Sequence, residues 1–357
     1  MKTYKNLYPK IYDFDNLYWA FREARKGKRR KEPVAAFEVD LEPNLWRLHE
    51  ELVAQTYRPG PYHHFYIYEP KRRLISAAPF RDRVLHHALC RVIEPIFDRT
   101  FIYDSYACRV GKGNHRAVER CSQFARRHAY VLKCDIVKFF PSIDQAILRD
   151  LLARRIADAQ TLWLIDLILA SGVGVLESEY AMHYFPGDDL FAACRPRGLP
   201  IGNLTSQQWA NVYLNPLDHF VKRELRCGSY VRYCDDFLLF HDDKRQLHRW
   251  RAEIADFLQT LRLTLHEGKS AVFPLRLGVE FVGFRVFPTH RRLRRQNVHR
   301  AFRRMEDLQE AYLAGDIPLD RVSASVQSWI AHSRYASTYG LRRQLFRRFI
   351  FSSGGAS

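Results

Sequence analysis

The stretch that most limits how this chain can fold is YVRYCDDFLLF, from Tyr230 to Phe240, in which apolar residues flank two adjacent carboxylates. Residues 230–233 and 237–240 have the composition and length of strands, which predicts a β-hairpin with Asp235 and Asp236 at its tip. The tip lacks the Asn-Gly or Asp-Gly pair of an ordinary two-residue turn. Two like charges between buried strands repel each other, so either a divalent metal such as Mg²⁺ compensates them or the turn is solvated.

A third carboxylate, that of Asp135, favours a metal site over a solvated turn. The segment YVLKCDIVKFFPSID, from Tyr130 to Asp144, begins as an apolar strand, and Asp135 falls in the middle of the apolar run. A lone aspartate in such a strand is costly to bury unless it is paired or bound to a metal. The alternative, that Asp135 caps the end of the strand, is weakened by the apolar Ile136 and Val137 that follow it.

One aspartate on a strand and an Asp-Asp pair on a hairpin about a hundred residues later resemble the palm of reverse transcriptases. The resemblance implies two-metal phosphoryl transfer, with two Mg²⁺ ions as cofactors and Mn²⁺ as a substitute. It implies that the metals are bound by Asp135, Ile136, Asp235 and Asp236, and that the three aspartates and Lys269 are catalytic. Lys269 would protonate or neutralise the leaving pyrophosphate. The alternative for Lys269 is an ordinary surface lysine.

The charge of the chain agrees with a nucleic-acid partner. Its formal net charge is +18 and its pI is near 9.7, which favours a polyanion, and nucleic acid before a membrane surface. No apolar run has the length of a membrane span, and the N-terminus lacks the apolar region of a signal peptide. We therefore expect no membrane partner and a cytoplasmic protein. Seven cysteines without a Cys-X-X-Cys pair predict reduced thiols.

The resemblance runs in one order from about Asn6 to Arg348 and implies an α+β, right-hand polymerase fold. Its antiparallel palm sheet would pack on helices and a helical thumb would follow. The expected divisions are an N-terminal helical extension (1–60), fingers (61–134), a palm with part of the fingers interleaved (135–290), a helical thumb (291–350) and a disordered tail (351–357).

Hydrophobic spacing predicts the local elements. We expect helices over 13–27, 33–57 and 242–265, two helices within 144–172, and a loop with a short hairpin over 173–194. The thumb should form three short helices, broken at Gly315 to Pro318 and near Gly340.

Two segments resemble those with which reverse transcriptases bind a nucleotide. The basic residues of PKRRLISAAPFRDRV resemble finger residues that contact the incoming triphosphate, and Arg73 and Arg81 are the two candidates. Three consecutive cations on a strand could instead prevent aggregation at the sheet edge. Phe140 lies where the family places an aromatic side chain against the sugar 2′-hydroxyl, although it could equally be a core residue.

A third segment, IGNLTSQ from Ile201 to Gln207, distinguishes groups within the family. Most reverse transcriptases carry Gln-Gly-X-X-X-Ser-Pro here. The apolar residue and the final Gln resemble the polymerases of diversity-generating retroelements, or related antiphage defence polymerases. The first resemblance implies nucleotide contacts from Ile201, Gly202 and Gln207, error-prone copying of template adenines, and a small basic accessory protein as partner. Losing one amide contact would cost about 1–3 kcal/mol of base discrimination.

The macromolecular partners implied are an RNA template and an RNA/DNA primer–template duplex, with dNTPs as substrates. The resemblance assigns primer contacts to Tyr233 and, in the block VEFVGFRVF, to Phe281 and Gly283. A non-catalytic RNA-binding protein on a palm scaffold is the alternative from another class, and the intact aspartates count against it.

The thumb segment, 291–348, carries thirteen arginines and only five acidic residues. Such a surplus predicts sequence-independent binding of the duplex through its phosphates. We expect Arg294 and Arg295 among these contacts.

Overall fold

The computed structural model describes residues 2–68 and 71–351. The predicted disordered tail, 351–357, therefore lies outside the described residues except for Phe351. Three hydrophobic clusters organise the described chain: a main core, a second core on the other face of the palm sheet, and a small cluster in the thumb. Within the described residues, no helix combines the length and apolar character that crossing a membrane requires.

Four helices precede the fingers: α1 (Tyr8–Tyr12), α2 (Phe14–Ala24), α3 (Glu32–Val39) and α4 (Leu41–Val53). Helix α2 confirms the helix predicted over 13–27, and it begins after Asp13, whose carboxylate accepts a hydrogen bond from the Asn16 amide. The helical stretch predicted over 33–57 forms two helices, because Asp40 has non-helical backbone angles and separates α3 from α4. The apolar faces of these helices join the main core.

The next segment contains strands β1 (His63–Ile67) and β2 (Arg73–Ala77) and helices α5 (Phe80–Asp98) and α6 (Asn114–Ala125). The two strands form an antiparallel pair in which Ile67 faces Arg73. Strand β1 is exposed along its whole length, whereas β2 passes from exposed Arg73 to buried Ala77. The buried end of β2 thus anchors a hairpin that projects from the core.

The palm sheet has the order β4-β5-β3-β6 and is antiparallel throughout. Its strands are β3 (Tyr130–Cys134), β4 (Tyr230–Tyr233), β5 (Asp236–His241) and β6 (Ala271–Pro274). Alternate residues face opposite sides, so Leu132 and Leu239 enter the main core while Val131 and Leu238 enter the second core. Strand β3 lies between β5 and β6 in this sheet, and the predicted division between fingers and palm falls at its end, at residue 134.

The palm helices are α7 (Phe139–Ser142), α8 (Gln145–Ala153), α9 (Ala159–Ser171), α10 (Leu204–His219) and α11 (Lys244–Thr260). Helices α8 and α9 confirm the pair predicted within 144–172. Helix α11 is shorter than the predicted 242–265, since Arg262 adopts a left-handed conformation with φ +53°. The hairpin predicted over 173–194 is wrong, because its described residues form two 3₁₀ turns, Glu177–Glu179 and Leu190–Cys194, and no strand.

A second, three-stranded sheet joins the palm to the thumb: β7 (Val279–Phe281), β8 (Phe284–Val286) and β9 (Arg291–Leu293). Since β9 pairs with β8, the first residues assigned to the thumb belong to this sheet. The thumb helices are α12 (Arg295–Leu313), α13 (Leu319–Ser333) and α14 (Tyr339–Arg348). Three helices and the break before Pro318 agree with prediction, whereas Gly340 lies inside α14 and the second break precedes it.

Candidate active site

The acidic hairpin has the predicted form. Strands β4 and β5 are joined by a two-residue tip, Cys234 and Asp235, with Tyr233 opposite Asp236. Cys234 has a φ of +57°, a left-handed value of the kind that tight hairpin turns require. Asp235 therefore stands at the tip, and Asp236 begins the returning strand.

A buried ion pair between Arg232 and Asp218 holds the tip of the hairpin in place. Arg232 on β4 is fully buried, and its guanidinium donates to both carboxylate oxygens of Asp218 on α10, at 2.8 and 2.6 Å. Its remaining nitrogen, Nη1, donates to the Cys234 carbonyl at 3.0 Å and to Asn211 Oδ1 at 3.1 Å. The Tyr230 hydroxyl also donates to Asp218, at 2.7 Å. We did not predict this network, although an arginine inside the apolar run YVRY was a signal of a buried partner.

Asp135 lies at the end of β3 and not in the middle of the strand, which stops at Cys134. The expectation of a mid-strand position is therefore wrong, and the strand-end alternative is the one observed. Cys134 pairs with Phe237, so one step further along the antiparallel register brings Asp135 alongside Asp236. The backbone there is held on its other side, because the Asp135 carbonyl accepts from the His266 amide at 2.8 Å.

The three carboxylates repel one another in a partly dry environment. Burial raises the pKa of Asp236 to about 7; nearby Lys133 opposes this shift, and the charges of Asp235 and Asp135 add to it. Burial also raises the pKa of Asp235, again with a contribution from Asp135. Two lysines offset part of the charge: Lys269 Nζ lies 2.8 Å from Asp135 Oδ2, and Lys133 Nζ lies 3.6 Å from Asp236 Oδ2.

One oxygen atom at this site, Asp236 Oδ1, is buried and accepts no hydrogen bond from the described residues. Carboxylate and carbonyl oxygens are the ligands that Mg²⁺ takes, so the donor set fits this ion.

The site is not a closed metal cage. Within residues 2–68 and 71–351, no group of three or more His, Cys, Asp or Glu side chains is placed to hold a metal ion. Mg²⁺ commonly binds through one or two carboxylates together with water and substrate phosphates.

The IGNLTSQ block lies directly against strand β2 of the fingers. The Ile201 carbonyl accepts from the Ser76 amide at 2.8 Å. Gly202 has a φ of +123°, and a Cβ there would come within 2.9 Å of Ile75 Cγ2, so the close approach needs glycine. Asn203, a variable position of the motif, is buried and bonds both the Ser76 carbonyl and the Ala78 amide.

The four other predicted nucleotide residues differ in their surroundings. Arg73 lies close enough to the carboxylates for its charge to lower the pKa of Asp235, against the larger effect of burial. Arg81 points elsewhere: it forms an ion pair with Glu51 on α4 and lies over the Tyr57 ring. Of the two, only Arg73 acts on the charge of a site carboxylate. Gln207 is exposed and accepts from the Cys108 thiol at 3.5 Å, and Phe140 is half-buried beside Phe139.

The predicted primer residues also divide into two groups. Tyr233 is half-buried at the end of β4, and Gly283 forms the β7–β8 turn with φ +90°. The Phe281 side chain is only 1% exposed and packs in the second core, and its predicted contact with the primer stays a prediction. Arg294 forms an ion pair with Glu280 at 2.9 Å, and Arg295 is exposed at the start of α12.

An antiparallel sheet with carboxylates at the ends of two central strands, flanked by fingers and a helical thumb, defines a nucleic-acid polymerase of the right-hand type. A sequence profile of the family "Reverse transcriptase (RNA-dependent DNA polymerase)" matches residues 68–286, more than half of the chain. The chain therefore belongs to the reverse transcriptase family.

Individual relatives are distant. The chain is 25% identical over 288 residues to protein YkfC of Escherichia coli K12, covering 69% of this chain and 72% of YkfC. It is 26% identical over 216 residues to the group II intron-encoded protein LtrA of Lactococcus lactis, covering 58% of this chain and 34% of LtrA. The telomerase of Candida albicans, solved with a fragment of telomeric RNA, is similar with a TM-score of 0.42 and 12% identity. That likeness covers 76% of this chain and 55% of the telomerase chain.

Proposed function

We propose that this protein synthesises cDNA on an RNA template, with two Mg²⁺ ions bound by Asp135, Asp235, Asp236 and the Ile136 carbonyl. The observation that carries the proposal is the buried Asp236 Oδ1, which has no partner among the described residues and lies near enough to Asp235 and Asp135 for their charges to add to the rise in pKa that burial causes at Asp236. When bound, the ions would supply Lewis-acid activation of the primer 3′-hydroxyl and stabilise the departing pyrophosphate. Family membership and the net charge of +18 support a nucleic-acid substrate.

The surrounding residues take complementary roles in this proposal. Arg73 contacts the triphosphate, and Lys269 provides a cation beside Asp135 that faces the pyrophosphate side. Gly202 allows the nucleotide to approach the backbone, and Phe140 packs against the sugar where a 2′-hydroxyl would otherwise fit. Lys133 lies under the sheet end and limits the repulsion around Asp236.

The test replaces Asp135, Asp235 and Asp236 by Asn, one at a time. Each change removes one negative charge and keeps the size of the side chain. A loss of several kcal/mol of transition-state stabilisation would lower incorporation of labelled dNTP on an RNA template by orders of magnitude. The exposed Asp256, changed to Asn, is the control. Wild-type rates in all three active-site variants would refute the proposal.

We further propose that the enzyme belongs to the diversity-generating type, which works with a small basic accessory protein and copies template adenines with errors. The support is Ile201, an apolar residue at a position where most of the family carries Gln. An apolar side chain neither donates nor accepts, so the base pair would be selected mainly by shape, and about 1.4 kcal/mol is a tenfold change in a ratio of rates. An antiphage defence polymerase is the alternative, because it could share the same block.

Ile201→Gln tests this subtype. Sequencing of cDNA made by the wild type and the variant should show fewer errors opposite adenine in the variant, with smaller changes opposite the other bases. A circular-dichroism melt confirms folding, because burying an amide could destabilise the loop. Equal adenine error rates in a folded, active variant would exclude the diversity-generating assignment and leave the polymerase assignment in place.

A further inference from the structure

A basic cavity lies where the palm, the second sheet and the thumb meet, and the proposed polymerase chemistry does not use it. Its volume is about 270 Å³. Its polar lining comes from the end of α6, from the loop between β8 and β9, and from the turn between α13 and α14. The side chains that matter are Ser122, Arg126, Thr289, His290, Arg291 and Arg334.

Two nitrogen atoms at this cavity are buried without a hydrogen-bond partner among the described residues: His290 Nε2 and Arg291 Nη1. Guanidinium nitrogens only donate, so Arg291 Nη1 needs an acceptor. Leaving a buried donor unpaired costs free energy, and native proteins usually satisfy such groups with a partner, water or an ion.

The His290 ring is fixed in its orientation. It stacks on Phe287 with ring centroids 4.5 Å apart and planes 7° from parallel. Its other nitrogen, Nδ1, lies 3.0 Å from the Thr289 hydroxyl. The unpartnered Nε2 is therefore a preorganised contact and not a side chain free to turn towards solvent.

The charged side chains that line the cavity are all positive. Arg126, Arg291 and Arg334 contribute three guanidinium groups, and no Asp or Glu of the described chain lines the cavity. The Ser122 hydroxyl donates to the Val118 carbonyl at 2.8 Å, and the Thr289 hydroxyl is paired with His290 Nδ1, so the donors left for a ligand are the guanidinium groups and His290 Nε2. A cluster of donors with several positive charges and no internal counter-charge matches an anion with several oxygens.

We propose that this cavity binds a phosphate group, which would connect the end of α6 with the α13–α14 turn of the thumb. Arginines bind phosphate oxygens through paired N–H donors, and the two buried nitrogens would gain acceptors. The phosphate could be a free anion or part of a nucleic-acid backbone, because the chemistry of recognition is the same. Ser337 at the thumb turn already donates its amide to the Arg291 carbonyl at 2.8 Å, so a bound phosphate would reinforce an existing junction.

The test uses the full-length protein and inorganic phosphate as the probe. Thermal midpoints are measured in sodium phosphate and in sodium chloride of equal ionic strength, for the wild type and for Arg126→Gln/Arg334→Gln. The control is Arg127→Gln/Arg321→Gln, which removes the same charge from exposed positions of the same two helical segments outside the cavity. General salting effects of phosphate raise all midpoints alike, so only the difference between the variants counts.

We expect phosphate to stabilise the wild type and the control equally, and its apparent affinity to fall about tenfold or more in the cavity variant. Equal stabilisation of the cavity variant and the control would overturn the proposal.

The source of the phosphate is then decided with an RNA–DNA hybrid. If a backbone phosphate occupies the cavity, the slope of log affinity against log salt should drop by about 1 more in the cavity variant than in the control. Identical hybrid binding by both variants would identify a free anion. Neither measurement depends on polymerase activity, so failure here and failure of the proposed function are distinguishable.

Discussion

At the scale of single residues, Asp236 is the most constrained group of the candidate site. One carboxylate oxygen is buried without a partner among the described residues, while the other faces Lys133 at 3.6 Å. Without a bound cation, folding therefore places a carboxylate where its charged form is disfavoured. The folded-state pKa of about 7 lies above the ordinary value for an aspartate, about 3.9.

This shift predicts how stability changes with pH in the absence of metal. Between pH of about 4 and 7 the folded protein keeps a proton on Asp236 that the unfolded chain has released, so the stability due to this group falls as pH rises. Asp236→Asn removes the titration, and the variant should gain stability relative to the wild type from pH 5 to pH 8. Urea unfolding in the presence of a chelator measures the difference.

The control is Asp256→Asn, the same substitution at an exposed position. Its unfolding free energy should change with pH as that of the wild type does. Added Mg²⁺ at pH 8 should stabilise the wild type more than Asp236→Asn, because the cation favours the ionised carboxylate. A wild type and an Asp236→Asn variant whose unfolding free energies keep a constant difference at all pH values would contradict the assignment.

The residues that sequence could identify were those whose chemistry conflicts with their neighbours. Asp135, Asp235 and Asp236 interrupt apolar runs, and this conflict is visible without a structure. Asn203 and Asp218 were missed, because a polar residue in a helix or loop is unremarkable until its neighbours in space are known. The burial of Phe281 was not foreseen for a related reason: whether an aromatic residue faces a ligand or the core depends on the packing of the second sheet.

At the scale of elements, the catalytic hairpin depends on helix α10 through the Arg232–Asp218 pair. Asp218→Leu should destabilise the protein by about 3–5 kcal/mol, since it leaves a buried guanidinium without its counter-charge. The double variant Asp218→Leu/Arg232→Met should recover most of that loss, because a well-packed apolar pair is close to neutral. Chemical denaturation of the three proteins measures both effects.

The double variant should recover stability without recovering activity. Its Cys234 carbonyl no longer has the Arg232 donor, so the tip carrying Asp235 is no longer fixed, and small misplacements cost roughly ten- to a hundredfold in rate. Primer extension by the stable double variant should therefore stay low. A double variant that matches the wild type in both assays would show that the pair has no positioning role.

The predicted boundaries of helices and strands agree with the structure where the spacing of apolar residues is regular. They differ from it where the backbone turns. The hairpin, α2, α8 and α9 were predicted from spacing alone. The break at Asp40 and the end of α11 depend on local backbone angles that carry no periodic signal. The strand β9 was assigned to the thumb with the arginine-rich segment that begins at Arg291, whereas its hydrogen bonds to β8 depend on the three-dimensional arrangement of the second sheet.

At the scale of the whole molecule, the thumb combines many positively charged side chains with a small apolar core. Among the described residues, Met305, Leu345 and Phe349 form its buried centre. Exposed arginines on α12 and α14 are therefore available to a polyanion, and four of them are Arg303, Arg304, Arg343 and Arg347.

Changing these four arginines to Gln should weaken binding to an RNA–DNA hybrid and flatten its salt dependence, by about 0.9 in slope for each phosphate that the protein no longer neutralises. Fluorescence anisotropy at several salt concentrations measures the slope. The matched control changes four exposed cations outside the thumb, Lys10, Arg30, Lys244 and Arg245, to Gln. If both quadruple variants show the same decrease in slope, the thumb has no special role and the whole basic surface binds the duplex.

The hydrogen bonds from Ile201 and Asn203 to strand β2 have a consequence for how such an enzyme can evolve. Under the proposed function, the loop beside the nucleotide base and the strand that begins with the triphosphate-binding Arg73 are one hydrogen-bonded unit, through Ser76 and Ala78. A substitution that shifts this loop also shifts the strand. Accuracy and catalytic speed would then be inherited together, and a lineage selecting for more faithful copying would have to re-optimise its turnover at the same time.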